Sequence, residues 1–173
     1  MKSRNLMVMA LAVITLIIVS ACRPQEDLHL LVTTGRETYL KGECISVQVT
    51  LQNRGSDNLL IQTRMAVDFL AEIPAFGDVG FVITSPSGRV IEFDQLTRVR
   101  MVNLEDFKVL DAGKTYPLEH PLEYPITSFY APFDEAGTYS VQAIYENKRD
   151  PGDGRSAWKG RITSNTVTFT LEP

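Results

Sequence analysis

The chain has 173 residues, of which 44% are hydrophobic and 22% are charged, and its formal net charge is −4. That length suits one globular domain with a sizeable hydrophobic core. The Lys and Arg residues are scattered along the chain, which argues against a nucleic-acid-binding protein, because such proteins carry a clustered basic face.

The N-terminus has the three zones of a secretory signal peptide. Lys2 and Arg4 give a positive start, residues 6–19 form an apolar run, and small residues follow before Cys22. The run has 14 residues, whereas a helix that spans a bilayer needs about 20. A cleaved signal is therefore the prediction, and an uncleaved membrane anchor is the alternative.

The tetrapeptide Val19-Ser20-Ala21-Cys22 resembles the lipobox of bacterial lipoproteins, in which an aliphatic residue and two small residues precede the cysteine. The resemblance implies a diacylglycerol on the Cys22 sulfur and cleavage just before that residue. An ordinary cleaved signal would leave Cys22 unmodified.

The resemblance also predicts a division of the chain and its location. Residues 1–21 are the lipoprotein signal peptide, 22–27 the lipidated N-terminus with a short tether, and 28–173 the domain. The protein is expected to be lipid-anchored in the cell membrane or outer membrane, facing the periplasm or the cell exterior. Arg23, in place of an aspartate, favours the outer membrane where one exists.

The chain has only two cysteines, so lipidation of Cys22 leaves Cys44 without a partner. Cys44 opens a strand-like run, and free cysteine is often buried as a small hydrophobic residue. We expect Cys44 to be buried and inert. The alternatives are a reactive thiol and a Cys22–Cys44 disulfide, which lipidation would forbid.

Residues 45–52 alternate apolar and polar side chains without a break, which predicts a half-buried strand. Four side chains share its inner face: Ile45, Val47, Val49 and Leu51. A turn cluster follows at 53–58, and a second strand is predicted at 59–63. Residues 67–73 are interpreted as one short helical turn.

Residues 81–93 are interpreted as a β-hairpin. The strands 81–84 and 89–93 flank the turn Ser85-Pro-Ser-Gly88, in which proline and glycine suit the dihedral angles of a tight turn. A further strand is predicted at 96–103.

The last part of the chain contains two more alternating runs, at 138–145 and 165–171. Their predicted inner faces carry Tyr139, Val141, Ala143 and Tyr145 in the first run, and Val167, Phe169 and Leu171 in the second. No segment shows a sustained helical period. Several short strands separated by turn signals predict an all-β, antiparallel β-sandwich.

The segment Glu135-Ala-Gly137-Thr-Tyr139 resembles the acidic-x-Gly-x-Tyr element of immunoglobulin-like domains. There the tyrosine hydroxyl bonds back to the backbone in a structural tyrosine corner. The antibody pattern has a cysteine two residues later, where this chain has Val141, so the resemblance implies a sandwich without an inter-sheet disulfide. A plain turn before a strand is the alternative.

A wider resemblance runs from about Glu43 to Leu171. An opening strand that ends in Asn53, the hairpin at 80–93, the segment 110–114 and the two closing strands come in an order similar to small bacterial Ig-like sandwiches. These include the BsuPI-type proteinase inhibitor family. No inhibitory residue can be carried over, because no reactive-loop motif is present.

Residue types that carry catalysis or bind metal are sparse. His29 and His120 have no neighbouring ligand at metal spacing, and no nucleophile elbow, phosphate loop or dinucleotide motif is present. Asp150-Pro-Gly-Asp-Gly154 lacks the ligand spacing of a calcium loop and is interpreted as a hairpin turn. The adjacent carboxylates at 105–106 and 134–135 are poor acid–base pairs if they lie in strands, where neighbours point to opposite faces.

The stretch from Tyr116 to Phe133 combines five aromatic residues with four prolines. It either buries its rings against the edge of the sandwich or forms an exposed recognition surface. Trp158 presents the same two alternatives.

These patterns predict a membrane-anchored, extracytoplasmic lipoprotein that acts as a non-catalytic binding or structural module. We expect no cofactor, no metal and no nucleic acid, and a protein partner in the cell envelope. Inhibition of extracytoplasmic proteases is the alternative that the BsuPI-like order suggests. A hydrolase that uses Cys44 would lack a placed histidine.

Overall fold

A computed structural model of the chain describes residues 27–67, 76–91, 104–130 and 132–173. Those ranges contain β-strands and two short 3-10 helices, Leu104–Asp106 and Ile126–Ser128, so the all-β prediction is confirmed. The strand predicted at 96–103 lies outside the described residues, as does almost all of the helical turn predicted at 67–73.

The described ranges contain eleven strands, which we number in chain order. They are β1 Leu28–Thr34, β2 Thr38–Leu40, β3 Ser46–Asn53, β4 Leu59–Gln62, β5 Phe76–Thr84, β6 Val90–Ile91, β7 Phe107–Leu110, β8 Thr115–Tyr116, β9 Leu122–Pro125, β10 Gly137–Asn147 and β11 Gly160–Glu172.

The strands form two larger sheets and one small one. In the first sheet, β3 lies between β1 on one side and β8 and β9 on the other. The second sheet has the order β2-β11-β10-β5-β6, and β4 pairs with β7 as a separate ribbon. Strands β2 and β11 run parallel, and the other strand pairs of the described residues are antiparallel.

The predicted inner faces of β3 and β10 are confirmed. All eight apolar side chains assigned to them are at most 1% exposed: Ile45, Val47, Val49, Leu51, Tyr139, Val141, Ala143 and Tyr145. In β11, Phe169 and Leu171 are buried as predicted and Val167 is half-buried. The buried side chains of both larger sheets belong to one hydrophobic core.

The predicted hairpin is present as β5 and β6. The Ser85 N–H donates to the Arg89 carbonyl oxygen (2.8 Å), and the Gly88 N–H donates to the Ser85 carbonyl oxygen (2.9 Å). Gly88 has a φ of +85°, a conformation that only glycine adopts at no steric cost. The turn chemistry read from the sequence therefore accounts for the observed reversal.

The side chain of Asn165 joins the two larger sheets at one side. Its Oδ1 accepts from the Val32 N–H (3.0 Å), and its Nδ2 donates to the Val32 carbonyl oxygen (2.9 Å). A side chain from β11 thus occupies the backbone groups that β1 would otherwise offer to another strand. Covering an edge in this way blocks unwanted strand pairing.

A buried asparagine ends the central strand of each larger sheet. Asn53 of β3 is 0% exposed, and its Nδ2 donates to the carbonyl oxygens of Asp57 (2.8 Å) and Leu110 (3.0 Å). Asn147 of β10 is also 0% exposed, and its Nδ2 donates to the carbonyl oxygen of Trp158 (2.7 Å). Each amide therefore satisfies carbonyl oxygens of neighbouring segments at the end of its strand.

We expect Asn53→Ala to destabilise the domain by about 2–4 kcal/mol, because it leaves several backbone groups without partners in a place with little access to water. Urea unfolding of the purified domain measures this. Asn58→Ala is the matched control, since Asn58 is exposed and accepts one hydrogen bond, from the Ala112 N–H. Equal losses in the two variants would show that Asn53 holds no special position.

Candidate functional site

Cys22, the predicted lipidation site, lies outside the described residues. The described chain begins at Asp27, whose carbonyl oxygen accepts from the Arg54 N–H at 2.7 Å. Arg54 follows Asn53, and Asn53 exchanges backbone hydrogen bonds with Gly113 and Lys114. We call Asp27 and the turns 54–58 and 111–114 the anchor end of the domain. The first described residue, Asp27, is therefore held to the domain by a backbone hydrogen bond.

Cys44 lies at the opposite end of β3 and is exposed. The prediction that it is buried was wrong. Side chains alternate between the two faces of a strand, and Ile45 takes the inner face, so its neighbour Cys44 faces outward. The Thr127 hydroxyl lies 3.8 Å from its sulfur.

Cys44 opens onto a shallow pocket of about 310 Å³ that also contains Glu43 and Thr127. The Glu43 carboxylate accepts from the Leu40 N–H at 2.8 Å and pairs with Arg36 at 3.3 Å. The Leu40 bond, helped by Arg36, lowers the pKa of Glu43. That carboxylate is ionised at neutral pH and already engaged, so it is poorly suited to take a proton from the thiol.

Tyr139 forms the hydrogen bonds that the tyrosine-corner resemblance implies. Its hydroxyl donates to the Glu135 carbonyl oxygen (2.9 Å) and accepts from the Glu135 N–H (3.1 Å). Its ring stacks on Phe169 with a centroid distance of 5.3 Å. Gly137 has a φ of +130°, and a Cβ there would come within 3.0 Å of Pro86. Glycine is therefore required where the chain turns into β10.

The β5–β6 turn is fastened to this corner through Glu135. The Glu135 carboxylate accepts from the Ser87 hydroxyl (3.0 Å) and the Ser87 N–H (3.1 Å), and it pairs with Arg89 at 3.5 Å. The Ser87 hydroxyl bond is the main cause that lowers the pKa of Glu135. The ionised Glu135 carboxylate therefore links the β5–β6 turn to the tyrosine corner.

The aromatic stretch from Tyr116 to Phe133 contributes its rings to the core. Tyr124 and Tyr130 are buried, and the three other rings are half-buried against the hydrophobic core. The Tyr124 hydroxyl donates to the Met65 carbonyl oxygen (2.6 Å), and the Tyr130 hydroxyl accepts from the Phe81 N–H (2.9 Å). Burial raises the pKa of Tyr130 to about 12. Of the two alternatives, the core is therefore the observed one.

Trp158 and the nearby acidic loop are also structural. Trp158 is 5% exposed and packs against Tyr145 with a centroid distance of 5.7 Å. In the loop, Asp150 pairs with Lys159 at 2.7 Å and Asp153 with Arg155 at 2.6 Å. Each carboxylate of the loop therefore has a basic partner close to it in the sequence.

The histidines and the adjacent carboxylates form no metal cluster. His29 is half-buried on β1 opposite Gln52, and His120 is exposed. Glu105 and Asp106 lie in a 3-10 helix rather than in a strand. Within the described ranges, no group of three His, Cys, Asp or Glu residues is placed to hold a metal ion.

A groove that the sequence did not predict lies between β7 and β8. It has a volume of about 540 Å³ and is lined by residues 108–111 and 114–120. Val109 and Leu118 in its lining are 59% and 75% exposed. The Lys108 ammonium lies 5.8 Å from the centroid of the Tyr116 ring. We call this feature the side groove.

Comparison with protein-family models and with curated protein sequences gave no match for this chain. Among the residues that the structure describes, no helix is both long enough and apolar enough to cross a membrane.

We expect Tyr139→Phe to lower the free energy of unfolding by about 1–2 kcal/mol, because the corner loses a hydroxyl that both donates and accepts a hydrogen bond. Urea unfolding checks this. Tyr116→Phe is the control, since the half-buried Tyr116 hydroxyl makes no hydrogen bond with the described residues. A change no larger than that of the control would contradict a supporting role for the Tyr139 hydroxyl.

Cys44 is expected to react fully with a small thiol reagent in the folded protein, because its sulfur is exposed. Mass spectrometry of the native, labelled chain measures the reaction, and Cys44→Ser should abolish labelling at this site. Protection of Cys44 until the protein is unfolded in urea would contradict its exposed position.

Proposed function

We propose that this chain is a bacterial lipoprotein precursor, and that lipid on Cys22 holds its domain outside the cytoplasm as a non-catalytic binding or structural module. The tetrapeptide Val19-Ser20-Ala21-Cys22 carries the proposal, because it resembles a lipobox, and Asp27, five residues after Cys22, is hydrogen-bonded at the anchor end. Five residues reach at most about 17 Å. A lipid on Cys22 would therefore keep the domain close to the membrane surface.

The position of Cys44 supports a free Cys22 sulfur. Nine residue steps separate Cys44 from Asn53, which corresponds to about 30 Å along an extended strand. The tether reaches about 17 Å, and a disulfide needs Cα atoms within about 7 Å of each other. An intramolecular Cys22–Cys44 disulfide is thus out of reach, and the thiol remains available for a thioether.

The strand order supports an Ig-like sandwich. Strands β1, β3 and β9 follow the A-B-E order of one immunoglobulin sheet, and β11, β10, β5 and β6 follow the G-F-C-C′ order of the other. The hydrogen bonds of Tyr139 occur at the start of β10, the equivalent of strand F, where a tyrosine corner belongs. The core is closed by packing, since the described residues contain no disulfide.

A domain held at one end presents its other end to partners. The far end carries the Cys44 pocket and the β5–β6 turn fastened by Glu135. We propose that this end faces a protein partner in the cell envelope. Protease inhibition stays an alternative prediction, because its support is the order of sequence segments alone.

Radiolabelled palmitate is expected to enter the wild-type protein in growing bacteria and to be absent from Cys22→Ala, because the thioether needs that sulfur. Labelling is measured on the immunoprecipitated protein. Cys44→Ser is the matched control and should retain the label. Incorporation into Cys22→Ala would refute lipidation at this residue.

A further inference from the structure

The side groove borders the anchor end of the domain. Lys114 lines the groove, and its carbonyl oxygen accepts from the Asn53 N–H at 2.9 Å. The next residue, Arg54, holds Asp27 through the 2.7 Å bond to its carbonyl oxygen. The groove and the point where the tether enters the domain are therefore joined through two consecutive residues.

The lining of the groove includes two exposed aliphatic side chains. Leu118, at 75%, is the most exposed of the large hydrophobic residues in the described part of the chain, and Val109 is 59% exposed. Soluble surfaces tolerate single exposed aliphatic residues, but two of them lining one groove indicate a contact surface.

The length of the tether indicates what covers this surface. Strand β8 lies two strands away from β1 in the same sheet, a lateral distance of about 10 Å. The tether between Cys22 and Asp27 reaches about 17 Å. A membrane that holds Cys22 is therefore within reach of the side groove when the domain tilts toward it.

We propose that the side groove lies against the lipid surface that holds Cys22, with Leu118 inserted among the lipids. This inference rests on the proposed lipidation of Cys22. The tether keeps the groove at a high effective concentration next to the bilayer, so a contact too weak to recruit a free domain is sufficient to orient an anchored one.

The charges around the groove indicate that the contact is apolar. Lys108 and Lys114 are balanced by Asp111 and Glu119 in the same lining. No net attraction to anionic headgroups follows from this set, so the contact should respond weakly to ionic strength, unlike a polybasic membrane site.

A peptide that pairs with β7 is the competing occupant. Across the β4–β7 ribbon, the Thr63 N–H donates to the Asp106 carbonyl oxygen. The Leu60 carbonyl oxygen faces away from β7 and accepts from the Trp158 N–H. Val109 pairs with Leu60, and residues of an antiparallel strand point their backbone N–H and C=O groups alternately toward and away from the partner strand. The backbone groups of Val109 therefore point away from β4, toward the side where a peptide would pair. Lys108 lies on this edge of β7, and a lysine on an edge strand discourages the addition of another strand. The short tether also favours the lipid surface over a peptide as the occupant of the groove.

The test places a fluorescent thiol probe at Leu118→Cys or at Val90→Cys in a Cys44→Ser background. Val90 is a matched control because it is 56% exposed and lies on β6, at the far end of the domain. The full lipidated protein is reconstituted in vesicles of phosphatidylethanolamine and phosphatidylglycerol that contain headgroup-nitroxide lipids. We expect several-fold stronger quenching at position 118 than at position 90, with little change at high salt.

The outcomes separate this inference from the function on which it rests. Protein that does not float with the vesicles refutes the lipid anchor, and the membrane contact falls with it. Protein that floats but shows equal or weaker quenching at position 118 refutes the contact and leaves the anchor standing. Equal urea midpoints for the two probe variants, both at exposed positions, establish that the comparison is between folded proteins.

Discussion

The buried amide of Asn53 is the interaction on which the anchor end depends. It ends the central strand of the first sheet and donates to carbonyl oxygens in the 54–58 turn and in β7, while its backbone bonds the 111–114 turn. Because a buried amide must satisfy its donors inside the protein, Asn53 sets the positions of the 54–58 turn, β7 and the 111–114 turn relative to one another. Asn147 plays the same part at the corresponding end of β10. The end of the domain nearest the proposed lipid is thus held together by the side chain and backbone of one buried residue.

The features of the anchor end and those of the far end lie at opposite ends of the strands. The anchor end fixes Asp27 and places the side groove beside it. The far end carries the exposed Cys44 and the turn that Glu135 fastens to the Tyr139 corner. The aromatic core built from Tyr124, Tyr130, Tyr139 and Phe169 packs next to the far end, where Tyr130 also lines the Cys44 pocket. The proposed anchoring and the proposed recognition thus fall on different surfaces of one domain.

The strands with a clear period of two were predictable from the sequence, and the contacts between distant segments were not. The inner faces of β3 and β10 follow from alternation alone, because burial on one face dictates the residue type at every second position. The same rule places Cys44 outward, since it is out of phase with Ile45, and this position outweighs the general tendency of cysteine to be buried. The side groove is lined by residues close in sequence, but its shape depends on the pairing of β7 with β4 and of β8 with β3, and these long-range pairings are encoded by no local pattern. Asn53 likewise looked like an ordinary turn residue, because its partner Leu110 is 57 positions away.

The direction of β11, which runs parallel to β2 and antiparallel to β10, has a mechanical consequence. The chain enters at the anchor end, whereas β11 runs toward the far end and finishes beside the Cys44 pocket. A force applied near Glu172 would act along the strand axis, against the proposed lipid anchor at the other end. Backbone hydrogen bonds lie across that axis, so the force would be shared among the hydrogen bonds of the β10–β11 pair and would not open them one at a time. This strand geometry resists extension between the two ends of the domain.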